Sequence, residues 1–108
     1  MKPSEIIANY WVDYFKSCIV GNLYDDNFER FRNYLIKRIE DEDDYKEAFS
    51  NGLFRIGILV GEPDEILDDA LKICELPIKG FPFCLITYFD NGRCLLQKGD
   101  GFKYKELN

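Results

Sequence analysis

The chain has 108 residues, of which 46% are hydrophobic and 16% aromatic, with a formal charge of −6 and no histidine. That length and aromatic content specify one packed domain and exclude an acidic disordered segment. Without imidazole, the commonest general base, the Ser-His and Cys-His nucleophile pairs and the commonest transition-metal ligand are all missing.

Ser4 is placed to cap a first helix over residues 5–20, with Ile6, Ile7, Tyr10, Trp11, Tyr14, Phe15, Cys18 and Ile19 forming a wide apolar face. Gly21-Asn22 stops it, and Asp26 with Glu29 opens a second helix over 27–39, whose stripe is Phe28, Phe31, Leu35 and Ile39. Glu40 to Asp44 reads as a solvated connection, acidic where a third helix begins. The spacing of Tyr45, Ala48, Phe49, Leu53, Ile56, Leu59 and Val60 predicts that helix over 45–60, although Gly52 and Gly57 interrupt it; the apolar run Phe54–Val60 admits a short buried strand instead. Pro63 suits the first turn of a fourth helix over 63–75, with Ile66, Leu67, Ala70, Leu71, Ile73 and Cys74 on its apolar side.

Beyond Pro77, Gly80 and Pro82 the pattern turns to strands over 83–89, 93–98 and 102–107. Asn91-Gly92 is the favoured pair for a type I′ hairpin, which sets Phe89 opposite Cys94 and Thr87 opposite Leu96. A three-residue turn at Gly99-Asp100-Gly101 would add Phe102 and Tyr104 to the face of Phe83, Leu85, Phe89, Cys94 and Leu96. Tyr88, Leu95, Gln97, Lys103 and Lys105 would occupy the other face. The expected architecture is α+β: four N-terminal helices packed on a C-terminal three-stranded antiparallel meander.

Chemistry is mostly excluded. Cys18, Cys74, Cys84 and Cys94 form no C-x-x-C pair and read as reduced, buried thiols. An EF-hand loop from Asp41 would need Gly at Lys46 and Glu at Gly52, so no metal is expected, and Gly99-Asp100-Gly101 precedes a strand where a phosphate-binding loop needs a helix. No cofactor and no catalytic residue is predicted. Lys98, Lys103 and Lys105 are too few beside so much acid for nucleic-acid binding. No apolar run is long enough for a bilayer, and Met1 to Ala8 lacks a basic, then apolar, export signal, so a cytoplasmic protein without membrane contact is expected.

Charge is the remaining signal. Between Glu40 and Asp69, eleven acidic residues face only Lys46 and Arg55, a local charge of −9, while both flanks are mildly basic. With residues 45–60 helical, the two acidic clusters would lie roughly 24 Å apart as a stripe. Such a field speeds encounter with a cationic partner and repels nucleic acid and anionic membrane.

In its one-domain length, its acidic segments Glu40 to Asp44 and Glu62 to Asp69, and its lack of catalytic equipment, the chain resembles the small acidic immunity proteins with which bacteria neutralise toxic effectors in the cytosol. The resemblance implies a tight one-to-one complex with a basic toxin, commonly a nuclease. Glu40, Asp41, Asp43, Asp44, Glu62, Glu65, Asp68 and Asp69 are then the contact candidates. Reversing Asp68 and Asp69 to Lys is expected to slow association and leave the thermal midpoint nearly unchanged. The alternatives are a nucleic-acid mimic, recognisable by two rows of carboxylates at phosphate spacing, and a small-molecule-binding domain, recognisable by a pocket with convergent polar groups.

Overall fold

The computed structural model describes every residue except Asp100 and Phe102. Four helices, α1 (Pro3–Lys16), α2 (Asp25–Glu40), α3 (Asp43–Glu47) and α4 (Glu65–Ile73), accompany five strands, β1 (Phe54–Leu59), β2 (Glu62–Pro63), β3 (Cys84–Asp90), β4 (Arg93–Lys98) and β5 (Lys105–Glu106). The fold is α+β, as expected, but the sheet is larger than a three-stranded meander. Its strands are all antiparallel, in the order β2-β1-β3-β4-β5.

The largest correction falls on residues 45–60. Only Asp43–Glu47 is helical; the chain then extends into β1, which pairs with β3 from Phe54 opposite Phe89 to Leu59 opposite Cys84. The strand alternative is therefore the one adopted. Phe54, Ile56 and Ile58 alternate on the helix-covered face and are all buried, so period-two burial wins over a helical face interrupted by Gly52 and Gly57. Pro63 sits in the edge strand β2 opposite Ile58, where a missing N–H is tolerated, and the fourth helix starts later, capped by Asp64.

Val60-Gly61 makes the tight β1–β2 turn, with φ of 54° and 75°. A left-handed β-branched residue is strained there. Val60 is 64% exposed, so Val60→Asn gives up little packing and restores the Asn-Gly pair this turn favours. A gain of about 1 kcal/mol in chemical denaturation is expected; a loss would show that Val60 contributes a contact outweighing its backbone strain.

The Asn91-Gly92 hairpin has the expected register, Phe89 opposite Cys94 and Thr87 opposite Leu96, with both turn residues at positive φ. β5 is shorter than predicted, pairing Leu96 with Lys105 and Leu95 with Glu106; the Gly99-Asp100-Gly101 turn and the placement of Phe102 lie outside the described residues. Tyr104 departs from its expected place in the core: its ring meets Tyr88 at 5.6 Å on the opposite face of the sheet, and it is largely exposed. Phe83, just before β3, is also exposed.

α1 packs on β3 and β4, α4 on β1 and β2, and α2 spans α1 and α4. The core therefore lies between helices and sheet, with Ile7, Trp11, Phe15, Phe31, Leu35, Leu67, Ile56, Ile58 and Phe89 fully enclosed. Each such side chain contributes roughly 1.5–3 kcal/mol of hydrophobic burial. α1 ends at Lys16, so Cys18 and Ile19 fall beyond it, and Cys18 is exposed rather than buried as expected. Ser4 does not cap α1 either; it is buried in the first turn, where its Oγ donates to Glu40 Oε2 at 2.6 Å. Asp26 likewise lies inside α2, which begins one residue earlier after Tyr24.

Candidate functional site

With residues 45–60 extended, the two acidic segments are not separated by a helix. They meet on α2. Arg38, in the last turn of α2, donates from Nη1 to Asp69 Oδ2 at 3.1 Å and to the Tyr34 hydroxyl at 2.9 Å, and its Nε lies 3.5 Å from Glu42 Oε1. The Asp69 bond, followed by that to Tyr34, raises the guanidinium above its ordinary pKa. One partly exposed cation thus ties the C-terminal end of α2 and the connection after it to α4, and the expected 24 Å stripe becomes two adjoining acidic segments.

The eight candidate residues divide by what already holds them. Glu40 accepts from Ser4 and lies 3.8 Å from Lys2, joining the ends of α2 and α1. Asp68 pairs with Lys72 one turn along α4 at 2.8 Å, and Asp69 holds Arg38. Asp43 is 4.0 Å from Lys46 but 92% exposed, a pair of little energetic weight. Asp41, Asp44, Glu62 and Glu65 are exposed and make no ion pair among the described residues. Asp68→Lys with Asp69→Lys is accordingly a poor probe of binding alone, since the second change sets a lysine against Arg38.

Asp64 was not a candidate, yet it is the most constrained carboxylate of the segment. Its Oδ2 accepts from Gly57 N–H at 2.6 Å and its Oδ1 from Leu67 N–H at 2.9 Å, while its own N–H donates to the Gly57 carbonyl at 2.9 Å. It therefore caps α4 and continues the ladder of β1 beyond two-residue β2. Burial raises its pKa, against the lowering effect of the amide donors and Arg38. The cap was readable from Asp64 preceding an amphipathic run; the reach to Gly57 was not, because it depends on β1 being a strand.

Among the described residues no three His, Cys, Asp or Glu side chains gather as a metal site, and no helix is long and apolar enough to cross a membrane. Cys74, Cys84 and Cys94 are buried, and all four thiols are unpaired. Burial pushes the Cys94 thiol up to about 11, far from a reactive thiolate. A depression of about 430 Å³ is lined by Leu53, Tyr88, Asp90, Arg93, Leu95, Tyr104 and Glu106 on the open face of the sheet. It is shallow, and its polar groups flank the apolar centre rather than converge on one point. Comparison with protein-family models, with curated proteins and with solved structures finds no match for this chain.

Proposed function

We propose that this protein is a non-catalytic binding protein of the cytoplasm that engages a basic protein through its acidic helical segments, as an immunity protein engages a toxin such as a nuclease. The observation that supports this reading is the meeting of the two acidic segments at Arg38, with Asp41, Asp44 and Glu65 of those segments exposed and without an ion pair among the described residues. Carboxylates already engaged in holding α1, α2 and α4 together fix the backbone, and the unengaged ones supply the field. Arg38 and Lys72 interrupt the acid, which favours an irregular protein-binding patch over two phosphate-like rows.

The partner sought first is the cationic C-terminal domain of a secreted protein encoded beside this chain. Asp41→Lys, Asp44→Lys and Glu65→Lys together remove no ion pair between elements, so the fold is expected to persist with a loss of about 0.3–1 kcal/mol at each of the two helix starts they reverse. Association measured by stopped-flow at low salt should slow at least about tenfold, and its salt dependence should flatten, with dissociation changing less. Unchanged association rate and salt dependence would sink the proposal.

A further inference from the structure

The helices cover one face of the sheet, and the residues on the other face are not those of a surface left to water. In an antiparallel sheet with one wet face, outward positions alternate to polar residues. β3 instead reads Cys84, Leu85, Ile86, Thr87, Tyr88, Phe89, nearly continuous in apolar residues, as strands covered on both sides do. Leu59, Cys84, Ile86, Tyr88 and Leu95 all lie on the open face; Cys84 and Ile86 are already buried by their neighbours, Tyr88 and Leu95 are half-buried, and Leu59 is exposed beside the exposed Leu53 and Tyr104.

The charges of this face follow a pattern. Registered pairs set Arg55, Tyr88, Leu95 and Glu106 in one row across β1, β3, β4 and β5. The cation is at one end and the carboxylate at the other, three strand spacings or roughly 14 Å apart. Arg55 and Glu106 form no ion pair within the chain among the described residues, whereas Asp90 and Arg93 neutralise each other at 3.9 Å. Glu62, registered opposite Leu59, and Asp64, beside Gly57, add carboxylates at the β2 edge of this face, and the row from Arg55 to Glu106 is the part of it that a two-fold rotation reverses.

We propose that a second copy of this chain packs on this face, sheet against sheet about a two-fold axis near Tyr88 and Leu95. Arg55 of each copy then meets Glu106 of the other, and the leucine and tyrosine side chains between them leave water. Apart from Glu62 in β2, the acidic candidates are carried on the helices and the α2–α3 connection, so the inference goes beyond the proposed function and does not depend on it. The face spans β1, β3 and β4 over about six residues, roughly 20 Å, and β5 over only two, across roughly 19 Å; it is small for an interface, so association no tighter than the micromolar range is expected.

Sedimentation equilibrium from about 5 to 500 µM, spanning micromolar affinity, should show a reversible rise to twice the 12.7 kDa chain mass. Arg55→Glu alone and Glu106→Arg alone should each weaken the dimer at least about tenfold, because like charges then face each other twice. Mixing the two single variants, or combining both changes in one chain, should restore it. Both residues are exposed, so unchanged thermal midpoints are expected and distinguish lost association from lost folding. A monomer at every concentration overturns the proposal, and so does a dimer that neither reversal weakens or that the complementary mixture fails to restore.

Discussion

Gly57→Ala is expected to cost at least about 3 kcal/mol, the upper part of the range for overpacking a well-packed site. A β-carbon at Gly57 would lie 2.5 Å from the carbonyl oxygen of Leu85 and 2.6 Å from the α-carbon of Ile86. Both are backbone atoms of the strand directly opposite, so no rotamer change can relieve the clash. Moving β1 away from β3 would also strain the other edge, where Gly57 N–H and C=O are both held by Asp64. One methyl group therefore opposes the central strand pair and the start of α4 together. In thermal unfolding, the loss corresponds to a fall of roughly 12 °C or more. A loss below about 1 kcal/mol in chemical denaturation would mean that the β1–β3 spacing yields easily, contrary to the packing described.

Thr87→Val is expected to lose about 2–3 kcal/mol although it changes neither shape nor volume appreciably. Trp11 Nε1 donates to Thr87 Oγ1 at 3.0 Å, and that hydroxyl donates to the Ile56 carbonyl at 2.9 Å. Thr87 and Trp11 are completely buried, so no water replaces the lost partner. The indole N–H would remain inside the core without an acceptor, the costly half of a broken hydrogen bond. The chain of bonds links α1, β3 and β1, elements far apart in sequence, which makes it a device for fixing how the helix sits on the sheet. Thr87→Ser keeps the hydroxyl and should lose only about 1 kcal/mol, for one buried methyl. Equal losses in the two variants would show that the methyl group, not the hydroxyl, is what the core requires.

Much of this arrangement was legible in local pattern. The stripe of α2, the Asn91-Gly92 hairpin and its register each depend on residues close in sequence and appear as expected, and the α4 stripe does so at Leu67, Ala70 and Leu71, while Ile73 at its end is exposed. Residues 54–60 were ambiguous for a physical reason: with Arg55 its one polar side chain, so short a run does not set a period, and helix and strand differ only in the partner available. The partner is β3, some thirty residues later, and the Val60-Gly61 turn carries no recognisable hairpin signal. Every error in the acidic surface followed from that one segment. A helix there would have held Glu42 and Asp69 far apart; a strand brings them to the same arginine.

The amino-acid sequence alone determined the class of the fold, the acidity of residues 40–69 and the lack of histidine chemistry, since composition and short-range periodicity are properties of the chain itself. Only the tertiary structure decided which carboxylates are occupied in holding helices together, which remain exposed, and which face of the sheet is left open. Those are relations between residues distant in sequence, set when β1 pairs with β3 and the helices commit to one side.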